Sequence, residues 1–402
     1  MKKIMVLGAS ILQVPMLQKA KDLGFYVGVA DFNPKAIGIP IADEFYEAST
    51  FDPPAIVEAA KQFRPDGVVT LATDIPMRSV AAACEALGLP GISPKTALLA
   101  TDKAEMIRAL TDANVPCPKY VVANDRDEFE RVKGSVAYPA IMKPTDQSGS
   151  RGVVLVRSLE ELDASYDYSQ TESRGGAVVI EEFMEGPETS VEVMVLDDGV
   201  HILAITDKLT TGAPHFVEMG HSQPCRLGDA TCAAIRDVAT RAVQALGIKR
   251  GPAHVEIIVT AEGPKIVELG ARMGGDCITT HLVPLSTGID MTEATLRVAC
   301  GEEPDVAPKF QKGAAIRYFD VPVGVLDSIS GVDEARAIPG VRQISIVKEI
   351  GERIGEICGS GDRLGFVIAQ AKTADEAISI CEKAIAAIKV VVRPDKTEER
   401  PK

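Results

Sequence analysis

Residues 253–272 read AHVEIIVTAEGPKIVELGAR, and how this stretch folds decides the rest. Apolar and polar residues alternate with period 2 on both sides of Ala261-Glu262-Gly263, the pattern of two strands joined by a tight turn. With the turn there, residues whose numbers sum to 524 face each other: Thr260 meets Pro264, Ile258 meets Ile266, and Glu256 meets Glu268. Val255, Ile257, Val259, Val267 and Leu269 then form the apolar face, and the two glutamates share the other. Like charges set opposite each other destabilise a strand pair. A divalent cation between them removes the penalty, and Mg²⁺ typically takes one or two carboxylates together with phosphate oxygens and water. Glu256 and Glu268 are therefore candidate metal ligands.

Upstream, strand-like YPAIMKP (138–144) is followed by the loop TDQSGSRG (145–152) and by VVLVRS (153–158). Lys143 closes an apolar strand. A buried, unpaired lysine is costly and calls for an anion, and small residues at Ser148, Gly149, Ser150 and Gly152 let successive N–H groups close over a phosphate. The loop lacks the G-x-x-x-x-G-K-[ST] spacing of a P-loop fold. In AVVIEEFMEG (177–186) the chain turns from apolar to acidic, as a strand leaving a core toward a cleft does. The backbone across Glu181, Glu182, Phe183 and Met184 offers the donor and acceptor pair of an adenine edge. Glu188, just beyond, offers a carboxylate for ribose hydroxyls. Thr101-Asp102-Lys103 opens a helix to about Ala113, closed by Pro116 and Pro118. A second helix, with apolar Ile235, Val238, Ala239, Ala242, Val243 and Leu246, stops at Gly247 and leads into the hairpin.

The 402 residues are 46% hydrophobic, enough for about two to four domains with real cores. A net charge of −14 argues against a broad surface for nucleic acid or anionic membrane. Eight cysteines without a CxxC pair or zinc spacing read as thiols of a reducing compartment, with cytoplasm as the expected location. The opening MKKIMVLGASILQVP reads as a first strand and turn rather than a leader. No stretch reaches the roughly 18–20 apolar residues that span a bilayer. Residues 3–90 alternate strands (Ile4–Leu7, Tyr26–Ala30, Gly67–Leu71) with helices (11–23, 53–63, 76–87), the rhythm of a parallel sheet. Gly8 and Asp31 invite a dinucleotide reading, but only the first glycine of G-x-G-x-x-G is present. LGLPGISP (87–94) and Glu302–Lys312 read as linkers. Beyond the second, a small α+β domain with at least two strands and a helix near 380–388 is expected, ending in a frayed PDKTEERPK.

Taken together, the order of lysine, helix, strand-lysine-proline, Gly/Ser loop, EEF hinge and paired glutamates before Arg272 resembles the ATP-grasp superfamily over nearly the whole chain. The phrases KPTDQSGSRGV, FVEMGHSQP (216–224), GPAHVE, ARMGGD (271–276) and GSGDRLGFVIA are similar to its L-amino-acid ligase, dipeptide-forming branch. The resemblance implies an α/β fold: a parallel pre-ATP-grasp domain (1–100), a two-lobed ATP-grasp core (101–312, with a lid at about 117–185) and an α+β cap (313–402). It implies ATP with Mg²⁺ or Mn²⁺. Lys103 and Lys143 would lie on the phosphates, 148–152 would be a mobile loop over them, and Glu181–Met184 with Glu188 would hold the nucleoside. It implies an acyl-phosphate clamp at Arg272, and small-molecule carboxylate and amine substrates. His221, read as a loop residue, is a candidate for orienting substrate or taking the amine proton. Asp276 is a candidate ammonium partner, or else the N-cap of a helix in CITTHLVPL. The family's frequent Asn ligand is replaced by Gly270, with water or His254 as substitutes. A homodimer is expected by analogy. Competing readings are a purine-pathway or biotin-carboxylase-like enzyme making carboxyphosphate or formyl phosphate, a non-catalytic nucleotide-binding module, and an NAD-dependent dehydrogenase.

Overall fold

A computed structural model describes residues 1–147 and 149–394; Ser148 and the polar end at 395–402 lie outside the described residues. The first sheet is parallel, in the spatial order Glu44–Glu47, Tyr26–Asp31, Lys3–Leu7, Gly67–Val69, and includes a strand at 44–47 that periodicity did not reveal. Helices Pro53–Phe63 and Pro76–Leu87 pack on it through Ile56, Ala60, Phe63, Val80 and Ala83. Asp31 braces the turn after the first strand: its carboxylate accepts from the Ala9 and Asn33 N–H groups at 2.7 and 2.8 Å. That use leaves no support for the dinucleotide reading.

A four-stranded antiparallel sheet, Tyr120–Ala123, Val178–Glu182, Ala140–Pro144 and Val154–Val156, has its own core around Phe129, Met142, Leu162 and Tyr166. The largest sheet has eight strands. From one edge they run Gly263–Gly270, Gly251–Thr260, Glu188–Leu196, Gly199–Thr210, Glu218–Gln223, Gly313–Tyr318, Gly365–Ala371 and Val341–Ile346. Its back face at the hairpin end, with Val191, Val193, Val255, Ile257, Ile266 and Leu269, packs on helix Asp229–Ala245, whose five expected apolar positions are all buried together with Leu246 just past its end. Apolar burial there leaves the front face free to carry polar groups.

Two expectations are corrected. Glu256 does face Glu268, but a β-bulge between Glu256 and Ile257 shifts the pairing nearer the turn, so that Ile257 meets Ile266 and Ile258 meets Lys265. The bulge sets two residues against one and rotates the strand. Ile266 is therefore 1% exposed in the core, while Val267, expected there, is only half-buried. The C-terminal part is also more than a domain resting on the core. Gly313–Tyr318 pairs directly with Glu218–Gln223, so three C-terminal strands extend the central sheet itself. Helix Ala374–Ala387 covers them, closing a core of Ala315, Leu326, Val367, Cys381 and Ala384.

Candidate active site

Because the back face of the central sheet takes the apolar side chains, period 2 sends the intervening residues to the front. There the register aligns Glu268, Glu256, Ser190 and Thr206 across four strands. Gln223 continues the line by donating to the Thr206 hydroxyl at 2.8 Å. One step along, Lys208 and His221 are paired across adjacent strands, and Lys208 reaches Glu188 at 2.6 Å. His221 thus belongs to a strand and not to a loop.

Lys208 is the electrostatic centre of this face. Its side chain is 4% exposed and lies 2.6 Å from Glu188, 2.7 Å from Glu256 and 3.7 Å from Glu218. Burial works against its charge, but Glu256, Glu188 and Glu218 outweigh it and hold the ammonium well above its ordinary pKa. Burial likewise opposes ionisation of Glu256, which Lys208 and His254 nevertheless keep well below the usual carboxylate range. Glu268 pairs with Lys103 at 3.0 Å, and Lys103 also donates to the carbonyl of Gln147 at 2.6 Å, tying the hairpin to the glycine loop. Asp74, Thr101, Lys103, Asp146, Gln147 and Glu268 line a cavity at this junction.

Glu256 and Glu268 are brought together, but a lysine stands at each, where a metal-sized gap was expected. Among the described residues no group of three or more His, Cys, Asp or Glu side chains is arranged to hold a metal. Two carboxylates suit a Mg²⁺ ion that arrives with phosphate oxygens and keeps its own water; they do not make a metal cage. His254 does not stand in for the missing Asn. Its Nδ1 is 2.7 Å from Glu192 Oε1 and its Nε2 is 3.4 Å from Glu256 Oε1, so both ring nitrogens are engaged.

The other expected residues fall as follows. Lys143 is buried and pairs at 2.7 Å with Glu181, so that carboxylate braces the lysine and is not free at the hinge. Glu182 pairs with Lys265 at 2.7 Å. The N–H groups of Glu182 and Phe183 go to the carbonyls of Lys119 and Pro139, which leaves Met184 as the hinge N–H without a partner among the described residues. Phe183 lies 6.5 Å from Phe216. Gly149, Ser150 and Gly152 all have φ between 58° and 73°, a run of left-handed backbone able to turn N–H groups inward. Ser148 lies outside the described residues. Arg272 pairs with Asp74 and with neither glutamate, Nε to Oδ1 at 2.8 Å and Nη2 to Oδ2 at 3.1 Å.

Asp276 is neither a free ammonium partner nor a helix N-cap. Its φ is 49°, the helical turn begins beyond Cys277, and both carboxylate oxygens are held at 2.8 Å by Arg363, which lies over the Tyr318 ring at 3.7 Å. Although burial favours its neutral form, Arg363 and His221 keep Asp276 below the usual carboxylate range. His221 Nε2 stands 3.4 Å from the same carboxylate, and its Nδ1 is buried without a hydrogen-bond partner among the described residues. Lys208, Asp74 and Arg363 are the site residues that local sequence patterns missed.

Comparison with known proteins gives the following. Residues 136–280 match the ATP-grasp domain family, and residues 317–393 match L-amino acid ligase C-terminal domain 2. The uncharacterized protein y4rH of Sinorhizobium fredii is 31% identical over 334 residues, 81% of this chain and 68% of that protein. Alanine–anticapsin ligase of Bacillus subtilis is 27% identical, over 74% of this chain and 67% of that one. Mouse carnosine synthase 1 is 26% identical over 75% of this chain, which spans only 40% of that longer protein. In structure, the chain superposes on an L-amino acid ligase from Bacillus licheniformis with a TM-score of 0.83 and 24% identity, covering 98% of this chain and 99% of that one.

Proposed function

Since this chain belongs to the ATP-grasp ligases and bears the C-terminal domain of the L-amino-acid ligases, we propose that it joins two amino acids in an amide bond through an acyl phosphate, releasing ADP and phosphate. One observation carries the reading most directly. A cross-strand pair of carboxylates meets two lysines, the buried Lys208 of the same sheet face and Lys103 at the start of a neighbouring helix, and a buried arginine stands just beyond the end of the same hairpin.

In this reading the donor carboxylate attacks the γ-phosphorus of ATP, ADP leaves, and the amine then displaces phosphate from the acyl carbon. Phosphoryl transfer of this kind is accelerated chiefly by positioning and charge neutralisation. Mg²⁺ held by Glu256 and Glu268 would neutralise phosphate oxygens. Lys103 and Lys143 hold the phosphate chain, and the backbone of 149–152 closes over it. Met184 reads the adenine edge and Glu188 the ribose, with Lys208 bridging the Glu188 and Glu256 carboxylates. Arg272 clamps the transferred phosphoryl group. His221, buried against Asp276, orients the substrate end of the cleft. The two substrates are small molecules, and the protein is taken to act as a cytoplasmic homodimer. The three-part division at 1–100, 101–312 and 313–402 serves the chemistry, with nucleotide between the lid and the central sheet.

The test is a coupled ADP-release assay with pools of amino acids, followed by mass spectrometry of the products. Amino-acid-dependent ADP release with an amide product supports the reading. Release driven instead by bicarbonate or formate with a purine ribonucleotide replaces it with carboxyphosphate or formyl-phosphate chemistry.

A further inference from the structure

Gly270, across the hairpin from His254, occupies the position where an amide ligand is absent. That position is not empty space. A Cβ added to Gly270 would stand 2.6 Å from Oδ1 of Asp74 and 3.1 Å from the Arg272 guanidinium. The room is filled by a carboxylate from a distant part of the chain.

Asp74 belongs to the loop that follows Gly67–Val69, the edge strand of the parallel sheet, and its carbonyl accepts from the Met77 N–H at 2.9 Å as helix Pro76–Leu87 begins. This loop is held in an unusual shape: Ala72 has φ 59°, a left-handed conformation uncommon for a residue with a Cβ. The Thr70 hydroxyl ties the loop back to the first strand by donating to the Leu7 carbonyl at 2.8 Å. Ala72 packs against the second loop at Gly275, where an added Cβ would be 3.6 Å from its own. The loops at 70–75 and 270–275 therefore interlock, and glycines in the second make room for side chains of the first.

Asp74 grips Arg272 from the side, through Nε–H at 2.8 Å and Nη2–H at 3.1 Å, and Nη1 donates to the Met273 carbonyl at 3.2 Å. A guanidinium has five N–H groups in a rigid plane. This arrangement leaves one N–H on Nη1 and one on Nη2 without a partner among the described residues, enough for a fork onto a phosphate or carboxylate. The side chains are 10% and 12% exposed, so water cannot readily replace either partner.

We propose that Asp74 is the positioning residue of the clamping arginine: the N-terminal sheet supplies the carboxylate that locks Arg272 side-on and aims its remaining fork at the phosphoryl group. What the fork grips rests on the ligase reading; that Asp74 orients it does not. Removing the partner that orients a metal ligand costs about 10–100-fold in activity, and the same scale is taken for an oriented arginine. Asp74→Asn should therefore lower kcat by about 10–100-fold, with the KM for ATP and the calorimetric affinity for ADP within about twofold of wild type. Gly270→Ala should do the same, because its Cβ would press on Asp74 Oδ1 where that oxygen meets the Arg272 guanidinium. Arg272 Nε–H, assigned in ¹⁵N spectra by its loss in Arg272→Lys, should exchange slowly in the wild type and rapidly in both variants. In the Arg272→Lys background, Asp74→Asn should cost little more, because residues acting as one unit are not additive. Unchanged kcat in both variants, or an increased KM for the amino acid alone, overturns the proposal, the latter by making Asp74 a direct substrate contact. If no amino acid drives ADP release by the wild type, the ligase reading fails, and the Nε–H exchange still decides whether Asp74 holds the arginine.

Discussion

At the scale of single residues, His254 shows how charge is managed behind the candidate metal carboxylates. Burial alone would lower its pKa, but Glu192, with help from Glu256, outweighs burial and raises it from 6.5 to about 9. A raised folded-state pKa gives stability that is complete below 6.5 and is lost as the pH climbs through about 9. The urea midpoint of the wild type should therefore carry an alkaline fall across that window which His254→Gln lacks; parallel curves for the two proteins would contradict this account of the buried pair. Lys208, on the same face, was within reach of the sequence. Hairpin arithmetic about the Asp197-Asp198 turn brings Lys208 within one residue of Glu188, and a bulge between Ile202 and Ala204 completes the approach that leaves them 2.6 Å apart. Asp74 and Arg363 were not within reach, because each meets its partner through tertiary packing between segments with no local pattern in common.

At the scale of elements, the glycine loop is the part expected to move. Its anchor is Asp146, whose carboxylate accepts from the Arg174 and Gly175 N–H groups at 3.1 and 2.8 Å, while Gln147 donates to the Glu172 carbonyl at 2.6 Å. Between these ties and Val154, Gly149, Ser150 and Gly152 take left-handed backbone, which in the proposed reading turns N–H groups toward phosphate. Hydrogen exchange of 146–153 should slow on addition of ATP with Mg²⁺, and to a smaller extent with ADP. Equal exchange in all three states would remove the loop from the phosphate site. The principal strands of this lobe and the helix at 229–245 were legible because their apolar periods are regular. The hairpin register was legible only as far as Glu256 and Glu268, since nothing in the alternation of VEIIVT and PKIVEL marks the bulge that buries Ile266 in place of Val267.

At the scale of the molecule, one continuous sheet connects the carboxylate hairpin to the C-terminal part: Glu256, Lys208 and His221 lie on its front, and Tyr318 beneath Arg363 carries that face into the segment that matches the L-amino acid ligase C-terminal domain. The sequence suggested three units in order. It could not show that two of them share a sheet, because strand pairing between Glu218–Gln223 and Gly313–Tyr318 leaves no trace in either segment's own periodicity. Among the described residues no helix is long and apolar enough to cross a membrane. In the proposed reaction a substrate carboxylate is activated as an acyl phosphate on this face. This step is tested most directly by running the reaction with amino acids labelled with ¹⁸O in the carboxyl group and examining the released phosphate by ³¹P NMR. The account predicts one ¹⁸O atom transferred into inorganic phosphate for each amide formed, with ADP as the nucleotide product; unlabelled phosphate, or AMP with pyrophosphate, would contradict it.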